Sequence, residues 1–198
     1  MEKRIKILIA DDEPIILLDL KEMLEEFGYK VVGKAKDGLE LVQKTNELCP
    51  DLIITDIKMP NMDGLTALKI IKTTQGLQNI PVILLTSHSQ SEMIEQAVEL
   101  GVFAYLVKPF TEEDMRPTIE VAMKRWREHN KIEKDRDKLK ADLETRKILE
   151  KAKGILMEQY KITEDQAFKM LQKLSMDHRK PMKEISDSII LAKQISSL

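Results

Sequence analysis

The stretch KILIADDEP, Lys6 to Pro14, decides the fold of the first half of the chain. Its apolar residues follow one another without alternation, which is typical of a strand buried on both faces. The strand runs straight into three acids, Asp11, Asp12 and Glu13. Neighbouring carboxylates repel one another, so a cation must balance them if they share one pocket. The stretch therefore predicts a buried strand that ends at a charged site.

Four further apolar runs follow, and segments with helical spacing separate them. Ile16, Leu20 and Phe27, for example, place apolar side chains on one helix face. Ser89 and Glu92 fit a capping box at the start of a later helix. Five strands alternating with helices predict an α/β fold, a doubly wound parallel sheet of five strands. The predicted strands span residues 5–10, 30–35, 51–56, 81–87 and 104–110.

Charge is distributed unevenly along the chain. Residues 1–118 carry 13 Lys+Arg and 20 Asp+Glu, a net charge of −7, whereas residues 119–198 carry 19 and 14, a net charge of +5. An acidic half suits cations and a basic half suits phosphate backbones. The two halves are therefore expected to serve different chemistry.

The composition predicts a cytoplasmic protein with no membrane partner. Cys49 is the only cysteine, which excludes an internal disulfide and suits a reducing compartment. No run of about 18 apolar residues is present to span a bilayer. The N-terminus enters a strand pattern directly and leaves no room for a secretory signal.

Polar residues follow the predicted strands at the edge where open parallel sheets bind ligands. Asp11 and Asp12 follow the first strand, and Asp56 ends the third. Thr86 and Lys108 lie at the ends of the fourth and fifth. Carboxylates without a Cys/His cluster indicate Mg²⁺ rather than zinc, and a lysine facing them suits a phosphoryl group. Alternatively, the first acids only cap the helix that follows them.

Residues 1 to about 120 resemble the receiver domain of two-component response regulators. The matching motifs, in order on the proper strands, are ADDEP (10–14), DIKMPNMDG (56–64), LLTS (84–87) and YLVKP (105–109). The resemblance implies a flavodoxin-like receiver fold in which Asp56 accepts phosphate from a sensor histidine kinase. It also implies a cis peptide between Lys108 and Pro109.

The resemblance further implies a role for each residue of the site. Mg²⁺ would be bound by three carboxylates and one backbone carbonyl, those of Asp11, Asp12, Asp56 and Lys58. Thr86 and Lys108 would contact the phosphoryl oxygens. Tyr105 would move inward together with Thr86 as the switch, unless it serves only in strand packing.

The strand pattern stops at about residue 112, and a long, charge-rich helical stretch follows. A helix start at Asp114 would place Pro117 in the first turn, where its missing N–H costs nothing. Further on, Ile132, Leu139 and Leu143 give a polar and incomplete a/d seam. Such a seam is compatible with a weak dimeric coiled coil and equally with a solvated connecting helix.

Three amphipathic helical segments end the chain, and we expect them to pack as a small bundle. Thr163 and Gln166 fit a capping box at the start of the second. Residues 146–190 resemble the ANTAR domain of transcription antiterminators, although Ser186 stands where that family more usually has alanine. The motifs concerned are AKGILM (152–157), TEDQAF (163–168) and LSM (174–176). The resemblance implies a module that binds RNA hairpins in a leader transcript and thereby prevents terminator formation.

Six basic residues and one aromatic residue are candidates for contacting RNA: Lys147, Lys151, Lys153, Arg179, Lys180, Lys183 and Tyr160. Lysines suit phosphates, and a tyrosine suits an unpaired base. The lysines are alternatively the solvated faces of helices, and Tyr160 alternatively closes the bundle. Phe168 and Met176 are expected in the core. Gly154 interrupts a helical pattern, which close helix packing or the approach of RNA would explain.

Together these features predict a response regulator that is not an enzyme. The predicted parts are a receiver domain (1–118), a helical linker (119–145) and an RNA-binding domain (146–198). Phosphorylation is expected to promote a homodimer. The alternative is a DNA-binding transcription factor, although the turn LSMDHRKP is long for a helix-turn-helix motif. A third possibility, a phosphatase-like enzyme that uses Asp56 for turnover, is disfavoured because the rest of the chain is helical and offers no substrate domain.

Overall fold

The computed structural model describes residues 4–87 and 96–196. The chain divides into two compact units, which we call the N-terminal unit (Met1–Asn130) and the C-terminal unit (Lys131–Leu198). The two predicted boundaries, after residues 118 and 145, remain predictions. Within the described residues, no helix combines the length and apolar character that crossing a bilayer requires.

The N-terminal unit contains the predicted α/β sheet. Its five parallel strands lie in the order β2-β1-β3-β4-β5, which confirms the predicted fold class. The strands are β1 (Lys6–Ala10), β2 (Lys30–Ala35), β3 (Leu52–Asp56), β4 (Val82–Thr86) and β5 (Ala104–Val107). The helices between them are α1 (Pro14–Glu26), α2 (Gly38–Leu48), α3 (Gly64–Thr73) and a short segment, α4, over residues 96–99. The predicted capping box of Ser89 and Glu92 lies outside the described residues.

Consecutive apolar residues form strands here because both faces of the sheet are covered. In β1, Ile7 and Ile9 enter one apolar layer, and Leu8 and Ala10 enter the other. All four side chains are completely buried. The chain order reverses between β1 and β3, so the edge beyond their carboxyl ends is the expected ligand site.

The long helix α5 (Glu112–Tyr160) begins two residues before the predicted start at Asp114. Pro117 therefore lies inside the helix, and the prediction that placed it in the first turn was wrong. Thr111 fixes this start, because its backbone N and its hydroxyl both donate to the Asp114 carboxylate, at 2.9 and 2.8 Å.

The C-terminal unit packs the end of α5 against α6 (Glu164–His178) and α7 (Met182–Ser196). Its apolar core contains the buried residues Ala152, Leu156, Ala167, Leu171 and Ile185. The capping box of Thr163 and Gln166 is present, as predicted. Phe168 and Met176 are 44% and 66% exposed, so their prediction as core was wrong.

Candidate functional site

Three carboxylates meet beyond the carboxyl ends of β1 and β3. Asp11 follows β1 and Asp56 ends β3, and these strands are neighbours in the sheet. One oxygen from each of Asp11, Asp12 and Asp56 lies within 4.8 Å of the others. Asp11 is fully buried and Asp56 is 8% exposed, whereas Asp12 is exposed. We call this group the acidic pocket, and its donor set suits a hard divalent cation.

Lys108 closes the acidic pocket from the end of β5. Its Nζ donates to Asp11 Oδ2 at 2.7 Å and to Asp56 Oδ2 at 3.0 Å. The peptide bond between Lys108 and Pro109 is cis, as the resemblance implied. Burial alone would lower the pKa of Lys108, but the hydrogen bonds to the two carboxylates outweigh it and raise the pKa. Lys108 therefore stays cationic.

The pocket favours the charged form of Lys108 but disfavours the charged form of Asp56. Burial raises the pKa of its carboxyl group, and the hydrogen bond from Lys108 offsets this only in part. Its other oxygen, Oδ1, accepts a hydrogen bond from the backbone N of Ile57 at 2.7 Å. An ionised Asp56 therefore gains from additional positive charge in the pocket.

Asp11 also acts on the following helix, as the capping alternative suggested. Its Oδ1 accepts a hydrogen bond from the backbone N of Glu13 at 3.0 Å. Glu13 is the N-cap residue, yet its side chain makes no cap hydrogen bond with the described residues. Capping accounts for one oxygen of Asp11, and the other oxygen contacts Lys108.

The loop after β3 carries Lys58, whose side chain is exposed. Gly64 fixes the far end of this loop, because its N donates to Ile57 O at 2.7 Å. A Cβ at Gly64 would lie 2.1 Å from the backbone oxygen of Asp56, so only glycine fits. The close contact between Gly64 and the Asp56 backbone holds the loop beside the acidic pocket.

The loop is also attached to the start of α2, a contact that was not predicted from the sequence. Asp37 Oδ1 caps α2 through Glu40 N at 2.8 Å, and its Oδ2 accepts from Asn61 Nδ2 at 2.9 Å. Gly38 N donates to Met62 O at 2.8 Å. The only local signal was an Asp-Gly pair before a helix, which does not indicate its partner 24 residues away.

The predicted switch residues lie on neighbouring strands. Thr86 is fully buried, and its hydroxyl donates to Ser87 O at 3.1 Å. Tyr105 is 51% exposed and lines an open cavity of about 360 Å³ together with Val98 and Val121. Tyr105 thus faces outward in this structure, which is the starting position that the predicted inward movement requires.

Most of the predicted RNA contacts are exposed in the C-terminal unit. They are Lys147, Lys151, Tyr160, Arg179, Lys180 and Lys183. Lys153 differs, because it is only 8% exposed and its Nζ contacts Glu150 at 2.8 Å and Glu164 at 2.6 Å. These hydrogen bonds raise the pKa of Lys153. Lys153 thus links α5 to α6 through these ion pairs, and its contact with RNA stays a prediction.

Tyr160 ends α5 with its ring 52% exposed. It borders an open cavity of about 470 Å³ whose walls include Leu156, Met170 and Ile189. The ring therefore covers the edge of the bundle and still presents surface to a partner. Both alternatives for Tyr160 stay open.

Two positions of the C-terminal unit are unusual for a packed bundle. Ser186 is fully buried, and its hydroxyl has no hydrogen-bond partner among the described residues. Gly154 lies within helix α5, where glycine costs about 1 kcal/mol relative to alanine. A Cβ at Gly154 would meet no described atom within 4 Å, so close packing inside this unit does not explain the glycine.

A doubly wound sheet with this acidic pocket and its lysine is the form of a phosphoacceptor domain. The family profile for the response regulator receiver domain matches residues 7–120, and that for the ANTAR domain matches residues 137–190. The chain belongs to the response regulators, with a receiver domain followed by a C-terminal ANTAR domain. Both are regulatory domain families.

Individual relatives agree with this assignment. The transcriptional regulatory protein PdtaR of Mycobacterium tuberculosis is 43% identical over 185 residues, which cover 93% of this chain and 89% of that protein. The chemotaxis protein CheY of Bacillus subtilis is 39% identical over 105 residues, covering 53% and 86%. The solved receiver domain of AraT, a response regulator from Geobacillus stearothermophilus, is 33% identical with a TM-score of 0.57, covering 64% of this chain and 99% of that domain.

Proposed function

We propose that phosphorylation of Asp56 activates this protein to bind hairpins in a leader RNA and so to prevent transcription termination. The observation that carries the proposal is the contact of Lys108 with Asp56, 3.0 Å, inside a pocket of three carboxylates. The pocket can accept a phosphoryl group only if its negative charge is balanced, and Lys108 supplies part of that balance.

The proposed chemistry is transfer of a phosphoryl group from a phosphohistidine of a sensor histidine kinase. An oxygen of Asp56 attacks phosphorus, a P–O bond forms, the P–N bond breaks, and the leaving imidazole takes up a proton. The residues proposed to hold Mg²⁺ are Asp11, Asp12, Asp56 and, through its carbonyl, Lys58. When bound, the ion would neutralise charge on the carboxylates and on the phosphoryl oxygens.

The response is proposed to pass through Thr86 and Tyr105. The Thr86 hydroxyl would turn from Ser87 O toward a phosphoryl oxygen. The buried end of β4 would then make room for the Tyr105 ring, which is half-exposed here. A change of this kind alters the surface that borders Val98 and Val121.

We further propose that phosphorylation promotes a homodimer. Ile132, Leu139 and Leu143 of α5 are 66%, 68% and 56% exposed, so their apolar surface is accessible to a second chain. Arg136 interrupts the seam between them, which makes pairing weak and open to control. Two paired chains would present two RNA-binding units to two hairpins.

RNA is the proposed ligand of the C-terminal unit because its exposed residues include several basic side chains and an aromatic ring. The test begins with RNAs of two hairpins whose loops are randomised, from which the full chain, treated with beryllofluoride, selects a binder. The selected RNA then competes against duplex DNA of the same sequence. RNA should win, whereas preference for the duplex would support the DNA-binding alternative and contradict the proposal.

A further inference from the structure

Gly154 lies on the side of α5 that points away from the bundle. The buried residues Ala152 and Leu156 stand two positions before and after it, which is a rotation of about 200° around the helix in either direction. Gly154 is exposed, and its φ is outside the left-handed region. Neither packing within the unit nor backbone conformation therefore requires glycine here.

Four charged residues share this side with Gly154, and we call the group the Gly154 face. They are Lys147, Glu150, Lys151 and Glu158, at the helical spacings of three, four and seven residues. All four are exposed. The face thus combines bare backbone with long charged side chains.

The lysines and the acids of the Gly154 face differ in their ion pairs. Glu150 lies 2.8 Å from Lys153, which also contacts Glu164, and Glu158 lies 3.7 Å from Lys193. Among the described residues, Lys147 and Lys151 have no ion-pair partner. Two lysines without an ion-pair partner among the described residues therefore lie beside the exposed glycine.

We propose that the sugar–phosphate backbone of RNA crosses α5 at Gly154, with Lys147 and Lys151 contacting its phosphates. This inference rests on the proposed RNA-binding function and gives it a location. The missing side chain lets a polyanion approach the helix backbone closely. Phosphate contacts from lysines then supply affinity that depends on salt. RNA binding would thus explain why a glycine, which destabilises a helix, stands at position 154.

The first test replaces Gly154 with alanine or leucine in the full chain. Both substitutions improve helix propensity, so amide hydrogen exchange across residues 146–190 should slow. Affinity for the selected two-hairpin RNA should fall, by about tenfold for Gly154→Leu if both phosphate contacts are lost. Gln172→Ala, at an exposed position of α6, is the control and should leave affinity unchanged.

The second test removes the two charges. Lys147→Gln combined with Lys151→Gln should reduce the slope of log affinity against log salt by about 1.4, since each contact with single-stranded RNA contributes about 0.7. Lys173→Gln, an exposed lysine of α6, is the matched control and should leave the slope unchanged.

Several results would overturn the inference. Unchanged RNA affinity in the Gly154 variants would do so, as would faster exchange, which would indicate a structural role. Loss of a dimer in RNA-free sedimentation of these variants would assign the face to a second copy of the chain. If the unsubstituted protein binds no RNA, the proposed function itself fails, which is a different result from binding that these variants do not alter.

Discussion

At the scale of single residues, the burial of Asp56 lowers the stability of the folded chain at neutral pH. Its burial raises its pKa, and Lys108 compensates only in part, so ionisation is less favourable in the folded chain than in the unfolded chain. Residues placed in this way often occur at functional sites. An added cation would relieve the same strain that makes the carboxylate ready for modification.

Asp56→Asn should therefore stabilise the N-terminal unit at pH 7 in the absence of divalent ions. A raised pKa means that the penalty of ionisation is absent below the ordinary value of 3.8 and grows as the pH rises through the folded value. The gain from Asn should therefore vanish in acid. Urea unfolding followed by Trp126 fluorescence measures it, and an Asn variant less stable at pH 7 would contradict the account.

Ser186 gives a second prediction at this scale, because its buried hydroxyl has no partner among the described residues. Ser186→Ala should stabilise the C-terminal unit by about 1 kcal/mol. Hydrogen exchange across residues 146–190 measures the change. Ser188→Ala is the control, since the Ser188 hydroxyl is exposed and bonds Glu184 O at 2.8 Å. Faster exchange in Ser186→Ala would show that its hydroxyl has a structural role.

Sequence reasoning succeeded at the acidic pocket because strand ends and residue types define it together. Asp11, Asp56 and Lys108 each end a strand of one parallel sheet, so their proximity follows from the topology. The ion pair of Lys153 was not predicted, because its partner Glu164 lies on the next helix. Local periodicity places a side chain on a helix face but does not identify the acid opposite it.

At the scale of elements, the loop after β3 depends on contacts with α2. Asn61→Gly should lower the affinity for Mg²⁺ about tenfold, because it removes the bond to Asp37 while still allowing the positive φ of 61° at this position. Calorimetric titration with Mg²⁺ measures the change. Lys58→Ala is the control, since only its carbonyl is a proposed ligand, and equal affinities for all three proteins would remove the loop from the site.

The apolar seam of α5 supports a further prediction. Leu139→Glu combined with Leu143→Glu should keep the protein monomeric in the presence of beryllofluoride, because charged side chains would face each other across the proposed coiled coil. Sedimentation velocity measures the mass. Lys138→Gln, outside the seam, should dimerise like the unsubstituted protein. A dimer that survives the double substitution would place the interface elsewhere.

Strands were easier to predict than helix ends. The sheet required only apolar runs in order, whereas the start of α5 depended on the contact of Thr111 with Asp114. That contact places Pro117 inside the helix despite its missing hydrogen bond. Phe168 was wrongly predicted to be buried. The buried side of α6 is centred on Ala167, and the larger Phe168 beside it is exposed.

For the whole molecule, the opposite charges of the two halves agree with two kinds of ligand. The acidic half carries the acidic pocket, where we propose that a cation and a phosphoryl group bind, and the basic half carries exposed lysines, which we propose for RNA. The order of motifs predicted both domains. The proposed coupling between the domains depends on a conformational change after phosphorylation of Asp56. Composition and periodicity do not predict such a change.

The most direct measurement is the affinity for the selected two-hairpin RNA with and without beryllofluoride and Mg²⁺, in the unsubstituted protein and in Asp56→Asn. The account predicts that the unsubstituted protein binds about tenfold more tightly when beryllofluoride is present, and that Asp56→Asn does not respond. Equal affinity in both states of the unsubstituted protein, or an equal gain in the Asn variant, would contradict control of RNA binding by Asp56.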